Sequence, residues 1–266
     1  MNEHKNYLAA TRIVIKVGTS TLTYPNGRLN LQRIERLSWV LADLRNQGKD
    51  VILVTSGAIG VGATRLGFDH RPEKMREKQA SAAVGQAVLI QIYQQFFNNY
   101  NQKVAQVLLT KEDIAEGRRR ENIINPFEAL LDMGVIPIVN ANDTISTYEI
   151  EFSDNDQLSA EVASLLNAEL LIILTDTDAL YDKDPRTAGD ARRIPRVTEI
   201  TEDIRRMAGE KGSAFGTGGM CTKVCAAERC TKDGIDMAII NGDDPVHIHS
   251  VLEGKDIGTI FTGRRI

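Results

Sequence analysis

The sequence has 266 residues, of which 42% are hydrophobic and 26% charged, with a formal net charge of −4. That balance suits an ordinary soluble chain with room for a large core, and the acidic surplus excludes a nucleic-acid binder working through a basic face. The longest apolar run, LLIIL at 170–174, is strand-sized, and the polar amino terminus MNEHKNYLAATR has no signal-peptide core, so a cytoplasmic protein is expected.

Along the chain, apolar strands alternate with amphipathic helices. RIVIKV (12–17) reads as a strand. Asn30 to Gln47 follows with Leu31, Ile34, Leu37, Leu41 and Leu44 at helical spacing, and Gly48 stands where a helix ends. VILV (51–54) is a second strand; the helical region after it breaks near Gly67 to Pro72 and resumes from Glu73 to Asn99. VAQVLL (104–109), a helix from Asn122 to Met133 and VIPIV (135–139) come next. A helix from Asp156 to Asn167, the strand LLIIL, a loop at 182–192, a helix from Met220 to Lys232 and the strands IDMAII (235–240) and GTIF (258–261) complete the series. The pattern predicts a mainly parallel sheet covered on both faces, in one continuous domain without an internal repeat.

In such sheets ligands sit outside the carboxyl ends of strands, which selects four places. Lys16, in KVGTS at 16–20, lies within the first strand; it either faces an anion or carboxylate, or sits at an edge with its ammonium reaching water. Gly18 and Thr19 add backbone N–H groups suited to a phosphate. TSGAIGVG (55–62) is a glycine-rich turn between strand and helix that serves either as an anion nest or as tight helix-to-sheet packing, and its glycines do not match G-x-G-x-x-G. Asn140, Asn142, Asp143, Asp154, Asn155 and Asp156 crowd VNANDT and SDNDQLSA; Ser153 with Asp156 also makes an S-x-x-D capping box, but six polar groups exceed what capping requires. Thr175 and Asp176 end the strand LLIIL, where a ribose or adenine contact and a solvated acidic loop are equally good accounts.

GTGGMCTK (216–223) looks like a phosphate loop yet fails the Walker A pattern, because Thr222 precedes Lys223 and Val224 follows it. Its three glycines still allow close backbone approach to an anion. Cys221, Cys225 and Cys230 match no metal spacing and read as reduced thiols, and His247 with His249 lack further ligands at metal spacing, so no metal site is expected.

IVIKVGTS, VTSGAIGVG, VNANDT, SDND, LTDTDALYDKDPR and GTGGMCTK stand in this order in a chain that, from about residue 12 to 262, resembles the glutamate 5-kinases of the amino-acid kinase family. SDND and the GTGGM-x-TK loop carry the resemblance most specifically; several of the motifs are shared with acetylglutamate, aspartate and uridylate kinases. It implies a three-layer αβα sandwich, one domain over 1–266 with a mainly glutamate-binding half to about residue 170 and a mainly ATP-binding half beyond. It also implies ATP with Mg²⁺, phosphorylation of L-glutamate to L-glutamyl 5-phosphate at the first step of proline biosynthesis, inhibition by proline, and a homo-dimer or tetramer. Many relatives continue into a PUA domain, whereas this sequence closes on FTGRRI, so a form without that domain is expected.

Carried over by position, Lys16 and Lys223 would touch the phosphates, with Asp156 as the third catalytic residue. Ser56, Asp143 and Asn155, joined by Gly57, Asn140 and Asp154, would bind substrate. Thr175, Asp176, Thr217, Gly218, Gly219, Met220, Cys221, Thr222 and Lys223, with Lys16, would bind ATP. Two cations facing one site repel, so Asp156 is expected to orient both ammonium ions. A carboxylate acceptor is already ionised at neutral pH and needs no general base. A kinase for acetylglutamate or another acyl acceptor, and a non-catalytic amino-acid sensor, remain the alternatives.

Overall fold

The computed structural model describes residues 5–24, 26–114, 118–146, 155–209 and 219–264. Its strands are β1 Arg12–Val17, β2 Asp50–Val54, β3 Val104–Leu109, β4 Ile136–Ala141, β5 Leu170–Thr175, β6 Arg196–Val197, β7 Asp236–Asn241 and β8 Thr259–Phe261. They form one sheet in the order β3-β4-β2-β1-β5-β7-β8-β6. Only β7 and β8 pair antiparallel; the other neighbours are parallel. The helices are α1 Thr19–Leu22, α2 Leu31–Asn46, α3 Ala58–Arg65, α4 Met75–Asn98, α5 Lys111–Ile114, α6 Arg118–Asp132, α7 Asn155–Leu165, α8 Glu202–Met207, α9 Met220–Lys232 and α10 His247–Leu252.

Strand alternation decides which residues meet which helices. Ile13, Ile15, Val17, Val51, Leu53, Leu170, Ile172 and Leu174 point to one face, where α2, α4 and α10 bury Ile34, Leu41, Tyr93, Phe97, Ile248 and Val251 against them. Val14, Ile52, Val54, Leu171 and Ile173 point to the other, under Phe127 of α6, Val162 and Ala163 of α7, and Val224 and Ala227 of α9. The sheet covered on both faces, expected from the sequence pattern, is therefore what forms. Lys16 shares parity with Val14 on β1, so the fold aims it at the second core.

The helix signals work locally. Asn30 caps α2 by accepting from the Arg33 N–H at 3.1 Å, and Gly48 closes it with φ of 86°. Two expectations shift. The helix expected from Asn122 begins at Arg118, because its first turn, Arg-Arg-Arg-Glu, carries no apolar residue to mark it. β6, α8 and α10 escape a periodicity reading because they span two, six and six residues. Among the described residues, no helix is long and apolar enough to cross a membrane.

Candidate active site

β1 is fourth in a sheet of eight, between β2 and β5, and Lys16 is only 4% exposed. Its reading as an edge lysine reaching water is thereby excluded. A buried ammonium must be compensated, and α7 supplies the group: Lys16 Nζ lies 2.6 Å from Asp156 Oδ1. Asp156 sits in the first turn of α7, on the face that also buries Ser159, Ala160 and Ala163. The other carboxylate oxygen accepts from Lys223 Nζ at 3.1 Å and from the Thr222 hydroxyl at 2.9 Å. Lys223 belongs to the α9 face that buries Val224, Ala226, Ala227 and Cys230. Two ammonium groups, 207 positions apart in sequence, thus share one fully buried carboxylate. Among the described residues the cluster carries two positive charges against one negative, a balance that suits an anion. The Asp156 carboxylate holds both lysines and Thr222; the capping box read from Ser153 with Asp156 falls on Ser153, which lies outside the described residues.

The turns after β1 and β2 close on this cluster. A Cβ at Gly18 would lie 3.7 Å from Lys16 Nζ, in ordinary contact, which puts the turn after β1 beside the ammonium. Gly57, with φ of 95°, is the N-cap of α3, and a Cβ on it would meet Thr19 at 3.6 Å. Gly62 does something else. A Cβ there would fall 1.7 Å from the Ser81 carbonyl oxygen, and one at Gly85 would fall 1.8 Å from that of Ala58, so this pair lets α3 and α4 cross in backbone contact. The glycine run therefore divides between a turn at the site and helix packing against α4.

A second cluster joins the ends of β2 and β4 to α7. Asn155 Nδ2 donates to the Thr55 carbonyl at 2.6 Å, to Ser56 Oγ at 2.9 Å and to Asn140 Oδ1 at 2.8 Å. Asn140 Nδ2 donates to Gln86 Oε1 at 3.2 Å, and Gln86 Nε2 to the Ala141 carbonyl at 3.1 Å. Beneath them the Thr55 hydroxyl meets Tyr93 Oη at 2.8 Å; burial raises the Tyr93 pKa and the Thr55 contact opposes this.

Gln86 went unnoticed in the sequence. Its signal was available: Ala82, Gln86, Leu89, Tyr93 and Phe97 repeat at helical spacing, and a glutamine within a buried stripe asks for a partner.

The remaining described residues follow β4 and β5 or open α9. Asp143 is half-buried in the turn after β4. Thr175 is buried at the end of β5, donates to Asp176 Oδ1 at 3.0 Å and accepts from the Gly242 N–H at 2.8 Å. Asp176 is exposed, Met220 and Cys221 are half-buried in the first turn of α9, and Gly219 is its N-cap. Asp154, Thr217 and Gly218 lie outside the described residues. Away from the cleft, burial pushes the Cys230 thiol up to about 12, and His249 on α10 packs edge-on against Trp39, 3.6 Å from Asp43. Among the described residues, no three His, Cys, Asp or Glu side chains group as a metal cage. Mg²⁺, which prefers one or two carboxylates with substrate phosphates and water, fits such a site as an ion carried by nucleotide.

The amino acid kinase family profile matches residues 11–241. A glutamate 5-kinase of Clostridium perfringens is 53% identical over 258 residues, covering 96% of each chain. One from Enterococcus faecalis is 51% identical, covering 95% of this chain and 94% of its own. Among solved structures, the UMP kinase of Bacillus anthracis superposes with a TM-score of 0.66 at 17% identity, covering 96% of this chain and 97% of that one, a likeness of fold alone. The chain belongs to the amino acid kinase family and groups within it with the glutamate 5-kinases.

Proposed function

We propose that the chain moves the γ-phosphoryl group of ATP to the side-chain carboxylate of L-glutamate, giving L-glutamyl 5-phosphate and ADP at the first step of proline biosynthesis. The observation that carries this reading is the pair of buried ammonium groups on the Asp156 carboxylate. Phosphoryl transfer asks the protein for in-line positioning and for positive charge around the transferring oxygens. Lys16 and Lys223 provide that charge. An opposite charge about 4 Å away in an effective dielectric near 20 is worth about 4 kcal/mol, more than a neutral hydrogen bond.

A glutamate carboxylate oxygen forms the new P–O bond while the bond from γ-phosphorus to its bridging oxygen breaks, the electron pair staying on ADP. No proton needs to move at the acceptor, so Asp156 acts as the common anchor of both ammonium groups. Ser56, Gly57, Asn140, Asp143, Asp154 and Asn155 are read as the glutamate side of the cleft. Thr175, Asp176 and Thr217 through Lys223 are read as the ATP side. Mg²⁺, when bound with the nucleotide, neutralises charge on its phosphate oxygens. This division makes the chain one domain with a glutamate half and an ATP half, meeting at Asp156. Inhibition by proline and assembly as a dimer or tetramer rest on the resemblance to the family.

The test is a coupled assay of ADP release with purified protein, ATP, Mg²⁺ and a panel of acidic amino acids. Release that depends on L-glutamate is expected. Release driven instead by N-acetyl-L-glutamate would transfer the assignment to another acyl acceptor, and proline binding without any release would leave a sensor.

A further inference from the structure

The three amides behind the cleft are each oriented by a backbone group. The Thr55 carbonyl accepts only, so the Asn155 atom 2.6 Å from it is the amino group. The Ala141 N–H donates only, so the Asn140 atom 2.9 Å from it is the carbonyl oxygen. The Ala141 carbonyl likewise fixes the amino end of Gln86 at 3.1 Å. With those three assignments, both amide-to-amide contacts match donor to acceptor: Asn155 Nδ2 to Asn140 Oδ1 at 2.8 Å and Asn140 Nδ2 to Gln86 Oε1 at 3.2 Å. Asn140 is 2% and Gln86 6% exposed, so neither has water to substitute for a lost partner.

The consequence falls on Asn155, which is half-buried. Its two N–H donors are taken up by three protein acceptors, Thr55 O, Ser56 Oγ and Asn140 Oδ1. What this amide can offer a ligand is its carbonyl oxygen, an acceptor suited to an ammonium group and ill-suited to a carboxylate.

We infer that Gln86 is a positioning residue: through Asn140 it holds Asn155 in the orientation that presents an acceptor oxygen, so the site selects a dicarboxylate bearing a free α-ammonium. The inference rests on the proposed glutamate kinase activity and names the feature of glutamate that the site reads. The α3–α4 crossing supports it, because Gly85, which touches the first residue of α3, immediately precedes Gln86. α4 thereby sets the distance between the Ser56 turn and the Asn140 strand end.

The experiment compares L-glutamate with glutarate, which has both carboxylates and no ammonium, in the wild type and in Gln86→Leu, Gln86→Met and Gln86→Glu. For the Leu and Met variants, kcat/KM on L-glutamate should fall about tenfold or more through a raised KM, with the ATP KM and the value for glutarate nearly unchanged. Gln86→Glu keeps an acceptor for Asn140 Nδ2 and should retain more of the preference for glutamate. Equal losses on both substrates, or an unchanged ratio, would overturn the inference; the Met variant, close to Gln in volume, covers the case in which Leu does not fold. Should the wild type turn over neither substrate, the proposed activity falls, and exchange of the Asn155 side-chain amide protons still decides: protection in the wild type that Gln86→Met abolishes supports the positioning role, and equal exchange in both contradicts it.

Discussion

Replacing Asp156 with Asn removes one charge and almost no volume, so its effect reads out the electrostatics of the cluster. Among the described residues, two ammonium groups and one carboxylate sum to +1 in the wild type and to +2 in Asp156→Asn, at a position where the lysines are 4% and 5% exposed. Each contact is worth about 4 kcal/mol at an effective dielectric near 20, and much of that offsets the cost of desolvating the ions. Removing one partner of a buried pair leaves an uncompensated charge and costs about 3–5 kcal/mol. Because one carboxylate serves two cations here, the upper part of that range is expected, a large share of a typical total of about 5–15 kcal/mol.

Urea unfolding followed by circular dichroism measures it. The companion variant Asp156→Asn with Lys16→Met returns the sum to +1 and should be more stable than Asp156→Asn alone, a non-additivity that only direct coupling produces. A loss below about 1 kcal/mol for Asp156→Asn, within the range of ordinary surface changes, would refute the reasoning, as would a double variant no more stable than the single one.

Lys223→Ala leaves the Lys16–Asp156 pair intact, so it should cost less stability than Asp156→Asn while lowering kcat about 10²–10³-fold; steady-state kinetics with ATP and L-glutamate decide, and unchanged turnover removes its assigned role. Asn155→Ala should raise the KM for L-glutamate and spare that for ATP, and the reverse pattern would place Asn155 on the wrong side of the cleft. Gly85→Ala adds a Cβ 1.8 Å from the Ala58 carbonyl oxygen; the helices must separate, and thermal unfolding should register a loss of about 1–3 kcal/mol or more, whereas none would mean that α3 and α4 do not cross so closely.

The parts of the fold readable from the sequence are those where a short-range rule suffices. Short continuous apolar strands and the period of α2, with Asn30 and Gly48 at its ends, are local facts. So is the position of Lys16 within a strand. What Lys16 faces is not local, because sequence alone cannot say that β1 lies inside the sheet or that α7 carries Asp156 across it. The edge and anion-facing readings are level in the sequence, and strand order separates them. Gly62 shows the same limit. In the sequence it reads with Gly57 as part of a glycine-rich turn, whereas its neighbour in the fold, Ser81, is on another helix. Gln86 was concealed differently, by a helix rich in Ala and Gln whose buried face mixes Ser81 and Gln86 with apolar residues.

The central claim is that the chain makes an acyl phosphate on L-glutamate, and hydroxylamine trapping tests it most directly. Purified protein with ATP, Mg²⁺, L-glutamate and hydroxylamine should yield glutamyl hydroxamate in step with ADP, and neither without L-glutamate. ADP formed without hydroxamate, or hydroxamate that arises only when N-acetyl-L-glutamate replaces L-glutamate, would contradict the account.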